Sequence, residues 1–375
     1  MEDNGKIEFA NSLRGIAALL VVVAHHFIVF WRLRDTAAAQ MHAPVLSAFE
    51  FPTPSYVYAV DSIPALGLGA VGVALFFLIS GFVIPFSFQK TTGPVFLIGR
   101  FFRLVPTYAV AFSVTLLAIF VGTRYFGLPW PYDWQSVLIH YMPGLRDIAG
   151  SPGIDGIVWT LEVEVKFYLI CAVLSQLLMR HSKLVFLAPV LLFVFALCVL
   201  TGGYAFALPL VFATCFQYVI FMFIGVAFHY HYVGKLSQLE MTALGVSLLG
   251  AFGILWVLSN DGPDTVKGWN YALAIVLFAA AAKFRHRFKR TAVLGFLADI
   301  SYPLYACHAI AGYIALRILI DLGVNVWVAH FSVFCGVVFA AWLIHILVEA
   351  PSHSVGRKVV KALSRSRQRP QTAAA

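Results

Sequence analysis

Charge is what this chain has least of. Only 11% of its 375 residues are Asp, Glu, Lys or Arg, where a soluble domain carries about a quarter. With 61% hydrophobic residues and a mean hydropathy of +0.86, a soluble globular domain is excluded and a polytopic membrane protein remains. Cysteine is sparse as well. Cys171, Cys198, Cys215, Cys307 and Cys335 all lie in apolar segments without metal-ligand spacing. They read as small buried hydrophobes, not as a disulfide framework or a metal site. The net charge of +9 does not point to nucleic acid, because the basic residues are scattered between apolar runs. No cleavable leader is evident either: residues 1–10 are polar and mixed in charge, and no small-residue cleavage site follows the first apolar run. The first span is therefore expected to stay as its own insertion signal. No internal repeat and no second soluble domain stand out.

What the chain does have is phenylalanine, 34 residues of it, and long apolar runs. Ten runs can span a bilayer, near 12–31, 66–88, 103–122, 157–179, 184–202, 207–229, 241–259, 269–282, 294–319 and 326–348. The predicted fold class is all-α: a polytopic membrane helix bundle of about ten transmembrane helices. Placing the N-terminus in the cytoplasm puts 19 of the 26 basic residues on that side. They include Lys90, Arg100 and Arg103, the run Lys283, Arg285, Arg287, Lys289 and Arg290, and the tail with Arg357, Lys358, Lys361, Arg367 and Arg369. The opposite side receives acidic or neutral loops, with Asp133, Asp155, Asp261 and Asp264 among them. This bias predicts both termini in the cytoplasm. Two outer loops, 32–65 and 123–156, are long and rich in Pro, Gly, Trp and Tyr, which suits sugar or headgroup contact, although interfacial anchoring is a sufficient account. Residues 1–360 are expected to form the membrane-embedded domain and 361–375 a basic, disordered tail.

Polar residues inside the apolar runs are costly, so they are the candidates for function. The first stretch, LRGIAALLVVVAHH from Leu13 to His26, carries Arg14 at its mouth and His25 and His26 at its end. A helical rise of 1.5 Å per residue puts Arg14 about 16 Å from His25, roughly half the hydrocarbon thickness. The stretch VWTLEVEVKFY (Val158–Tyr168) buries Glu162, Glu164 and Lys166. Glu162 and Lys166 are an i,i+4 pair; Glu164 faces elsewhere and needs its own partner, a histidine or arginine from another span. In ISYPLYACH (Ile300–His308), Ser301, Tyr305 and His308 share a helical face, and Pro303 allows a kink. Arg100 and Arg103 stand one turn apart, as a phosphate pair or as topogenic charge. Residues alone give a membrane-embedded acid/base site, for which acyl transfer and proton-coupled transport or glycolipid flipping fit equally.

At these residues the chain resembles the acyltransferase-3 family of integral-membrane O-acyltransferases, over nearly its whole length. Arg14 and His25 match its Arg-x10-His opening, and GVALFFLISGF (Gly72–Phe82) is similar to its second-span signature, although Ala74 stands where many members are acidic. Arg100 and Arg103 match its Arg-x-x-Arg pair. Trp159 to Tyr168 matches the Trp-x-Leu-x-x-Glu-x-x-Phe-Tyr block, with Glu164 as its glutamate. Ser301-Tyr302-x-x-Tyr305-x-x-His308 and Glu349-x-Pro351 match the last two blocks. The resemblance implies transfer of an acyl group, usually acetyl from cytoplasmic acetyl-CoA, to a hydroxyl of a cell-surface or exported glycan or glycolipid. It implies a bacterial inner-membrane enzyme needing no metal, of the type without a fused SGNH domain. On that basis His25 and Glu164 are the expected catalytic residues, with His25 as base or acyl carrier and Glu164 orienting it. Arg14, Arg100 and Arg103 are expected to hold the acyl-CoA, and Trp159, Tyr305 and His308 to position the acceptor.

Overall fold

Backbone in a bilayer has no water to bond to, so each segment has to satisfy its own N–H and C=O groups, and all ten apolar runs accordingly fold as helix. The computed structural model describes residues 5–202, 207–259, 265–288 and 291–366. Among them there is no β-strand. In chain order the first helices are α1 (Gly5–Val23), α2 (Phe30–Arg32), α3 (Arg34–Met41), α4 (Ser55–Asp61), α5 (Leu68–Ser87), α6 (Gly93–Tyr125) and α7 (Trp134–His140). There follow α8 (Val158–Val173), α9 (Ser175–Met179), α10 (Leu187–Thr201), α11 (Ala207–Tyr232) and α12 (Gln238–Ser259). The last are α13 (Thr265–Lys283), α14 (Ala292–Cys307), α15 (Ala309–Asp321), α16 (Val326–Ile344) and α17 (Ala350–Ser366).

Seven described helices are long and apolar enough to cross a membrane, and eight if α14 and α15 count as one broken span. The sequence count of ten differs because α8 has only 16 residues, three of them charged, and the apolar part of α13 is confined to Gly268–Lys283. Lys289, Arg290, Asp261, Asp264, Arg367 and Arg369 lie outside the described residues.

The chain divides into two units, residues 1–76, 107–160 and 265–346 in the first and 77–106, 161–264 and 347–375 in the second. In the first, α1 packs along α14, and Gly15 makes the contact possible: a Cβ there would come within 2.8 Å of the Leu297–Ala298 backbone. Gly72 of α5 meets Val21 and the Ala17 carbonyl in the same way. The long connections are ordered by single polar groups. The Arg34 guanidinium donates to the carbonyls of Trp31, Leu46, Ser47 and Phe51, pinning the 32–67 segment. Asp155 accepts from the Ile157 and Val158 amides (3.1 and 3.0 Å) and from the Tyr108 hydroxyl (2.6 Å), capping α8, and burial pushes its carboxyl above the usual range. Burial, and then Arg146, pull His140 down to about 4, so its neutral Nε2 accepts from the Ile154 amide.

In the second unit α10, α11 and α12 pack together, and Gly81 of α5 lies against the Met222 carbonyl and Gly225 of α11. Glu162 and Lys166 are both buried, and the Lys166 ammonium stands 5.8 Å from the Phe212 ring centre. The tail assignment needs correction at its start. Helix α17 runs through Lys361 to Ser366, and it lies against α6 where Gly356 meets Phe102 and Val360 meets Gly99.

Candidate active site

The first unit carries a cluster of histidines around two breaks in helical geometry. Helix α1 widens into a π-turn over Ala24–Val29, the six residues AHHFIV. Such turns often mark functional positions. Across from it, α14 and α15 meet at a 73° bend whose corner is His308. The break lies five residues beyond Pro303, and its cause is the His308 side chain. Its Nδ1–H donates to the Tyr305 carbonyl at 2.8 Å, competing with the helical bond that carbonyl would otherwise accept.

The hydrogen bonds assign the imidazole tautomers. His26 is fully buried, and its Nε2–H donates to the His308 carbonyl at 2.9 Å. Trp31 Nε1–H donates to His330 Nε2 at 2.8 Å. This leaves lone pairs on His26 Nδ1 and His308 Nε2, both buried and with no hydrogen-bond partner among the described residues. Buried polar atoms are rarely left so, and the exceptions call for a reason. His25 is half-buried beside them, edge-on to His308 with ring centres 4.9 Å apart. Its Nδ1 is 2.8 Å from the hydroxyl of Tyr313, a residue buried on α15. Tyr305 closes the cluster. Thr160 spends its only proton on the Ile157 carbonyl, so Tyr305 donates to Thr160 Oγ1 at 2.7 Å. Trp159 is half-buried next to Thr160, and Arg14 half-buried on α1.

The second unit holds the carboxylate and the arginines. Glu164 Oε1 accepts from Ser80 at 2.9 Å and from the Tyr168 hydroxyl, while the Tyr168 ring lies 5.3 Å from the Arg100 guanidinium carbon. Arg100 also stacks on Phe96 (4.9 Å) and donates to Ser87 Oγ at 3.0 Å. Glu164 and Arg100 are thus both held by one tyrosine. Arg100 and Arg103 open onto a cleft of about 580 Å³, whose wall also carries Lys90, Arg357 and Lys361. No carboxylate is among the described residues that line it. Phosphates are the ligand such a wall suits, because arginine binds them through paired charge-assisted hydrogen bonds.

Compared with known proteins, residues 7–346 match the family model described as an acyltransferase domain. This chain belongs to the acyltransferase-3 family. It is a multi-pass membrane acyltransferase. The enzyme is 24% identical over 298 residues to the exopolysaccharide production protein ExoZ of Rhizobium meliloti, covering 77% of its own length and 91% of that protein. It is 30% identical over 129 residues to nodulation protein 10 of Rhizobium leguminosarum bv. viciae, 30% of its own length and 35% of that protein. No solved structure matches it.

In this acyltransferase the residues singled out from the sequence fall into two groups. His25, His308, Tyr305, Trp159 and Arg14 belong to the first unit, and Glu164, Arg100 and Arg103 to the second. Sequence reading passes over Tyr313 and His330, and takes Lys90 and the two cations of α17, Arg357 and Lys361, only as cytoplasmic charge. Tyr313 and His330 do carry a signal, a polar group inside an apolar run. Gly312 belongs with them. A Cβ there would collide with the His26 imidazole. Helix propensity alone favours Ala over Gly by about 1 kcal/mol. Gly312→Ala is nevertheless expected to lower the thermal unfolding midpoint in detergent and to cut transfer at least about tenfold, since His26 must leave the His308 carbonyl. An unchanged midpoint would show that His26 does not need that bond.

Proposed function

We propose that this enzyme moves an acetyl group from cytoplasmic acetyl-CoA to a hydroxyl of an exported or cell-surface polysaccharide, in a bacterial inner membrane. The observation that carries the reading is the His25–Tyr313 pair, an imidazole held at Nδ1 beside two further imidazoles on helices broken at that level. With Nδ1–H donating to the Tyr313 hydroxyl, Nε2 keeps its lone pair and takes the proton of the acceptor hydroxyl. The acceptor oxygen then forms its bond to the thioester carbonyl carbon. The C–S bond breaks, and the imidazolium returns the proton to the departing thiolate. Tyr313 occupies the orienting position that a carboxylate holds in a serine-type triad. Glu164, through Tyr168, sets Arg100 for the phosphates of the donor. Tyr305, His308 and Trp159 position the acceptor, and Arg14 is a further cation for the donor. ExoZ, as a protein of exopolysaccharide production, favours polysaccharide as the acceptor class.

Membranes containing the protein, given acetyl-CoA labelled in the acetyl group, are expected to pass the label into polysaccharide. Label that stays in acetyl-CoA, with polysaccharide export lost when the protein is removed, would replace this reading with transport.

A further inference from the structure

The cleft that holds Arg100 and Arg103 has a second cationic wall, which no motif in the sequence announces. Arg357 and Lys361 stand one turn apart on α17 and line it from the side opposite in sequence, some 250 residues later. Their helix is held close to α6 by backbone approach. A Cβ on Gly356 would come within 2.7 Å of Phe102 Cβ, and one on Gly99 within 3.3 Å of Val360. Arg100 is half-buried and fixed by Ser87 and two aromatic rings, whereas Arg357 and Lys361 are exposed. The cleft therefore has an inner, half-buried pair of cations, Arg100 and Arg103, and an outer, exposed pair.

A CoA thioester presents two separate anionic groups, a diphosphate and a ribose 3′-phosphate at the far end from the acyl group. Its acyl end has to leave the cleft on the inner side, where Tyr168 and Glu164 lie behind Arg100. That direction gives the diphosphate to Arg100 and Arg103 and leaves the 3′-phosphate at the mouth. We propose that Arg357 and Lys361 bind the ribose 3′-phosphate of the donor, and that this pair makes the enzyme select CoA thioesters over donors lacking that phosphate. The inference rests on the CoA reading above. A hydrogen-bonded charge pair of this kind is worth roughly 10- to 100-fold in affinity.

The test uses the full-length protein in membranes with two donors, acetyl-CoA and acetyl-3′-dephospho-CoA. The wild type is expected to use the first with a KM roughly 10- to 100-fold lower. In Arg357→Ala/Lys361→Ala the KM for acetyl-CoA rises to that of the dephospho compound, whose own KM and both kcat values stay put. Lys358→Ala, which removes a neighbouring charge outside the cleft, keeps the wild-type preference. As a readout independent of turnover, adenosine 3′,5′-bisphosphate is expected to compete with acetyl-CoA on the wild type far better than ADP, and equally on the double variant. Equal use of both donors by the wild type, or a preference that survives the double substitution, overturns the assignment and leaves the CoA reading standing. Transfer from neither donor overturns the CoA reading, and this inference with it.

Discussion

Replacing His25 by alanine is expected to abolish acyl transfer while the protein still accumulates in the membrane at its normal level. General-base catalysis contributes about 10²–10⁴-fold, so labelled acetate in polysaccharide should fall by roughly three orders of magnitude. Accumulation should hold because His25 is half-buried and its side chain is tied, among the described residues, by a hydrogen bond to Tyr313. Its neighbour behaves differently. His26 is fully buried and ties α1 to the corner of the α14–α15 bend. His26→Ala leaves the His308 carbonyl without that donor and opens a cavity, so its first effect is on stability. Transfer that survives His25→Ala and fails in a normally folded His26→Ala would move the catalytic assignment by one residue.

The second large effect is expected at the cationic cleft. Arg100→Ala and Arg103→Ala should each raise the KM for acetyl-CoA by roughly 10- to 100-fold, the value of a charge-assisted contact to phosphate. Arg100→Lys should recover little. The guanidinium stacks on Phe96 and Tyr168 and reaches Ser87 at the same time, and an ammonium has neither the plane nor the fork to do so. Initial rates across a range of acetyl-CoA concentrations separate the outcomes. A KM unchanged in both variants would leave these arginines as topological charges.

Much of the fold is legible in the sequence because hydrophobicity over long windows dictates where helices form. All ten apolar runs fold as helix, and the polar residues within them mark most of both residue clusters. What is not legible depends on pairing between distant segments. The bend at His308 arises from a side chain competing for a carbonyl, a choice that Pro303, the nearer sequence signal, does not reveal. Glu164 asks for a partner by its burial, but only packing brings Ser80 and Tyr168 to its Oε1. Helix α17 is hidden by composition. Its Lys, Arg and Ser residues resemble a tail until Gly356 is seen against Phe102.

The π-turn in the first span bears on what that span tolerates. A π-turn accommodates one residue more than an α-helix of the same height, and one residue is a rotation of about 100°. Up to Val22 the buried face of α1 is set by its neighbour α14. Past Val29, Trp31 has to find His330 on α16. An unbroken helix could keep only one of these faces in phase. The extra residue is a spacer between two registers, and the two histidines sit where the registers change. Conservative substitution within the apolar faces leaves that phase alone, whereas removing a single residue between Ala24 and Val29 would rotate Trp31 away from its acceptor. In this span length is constrained more tightly than composition.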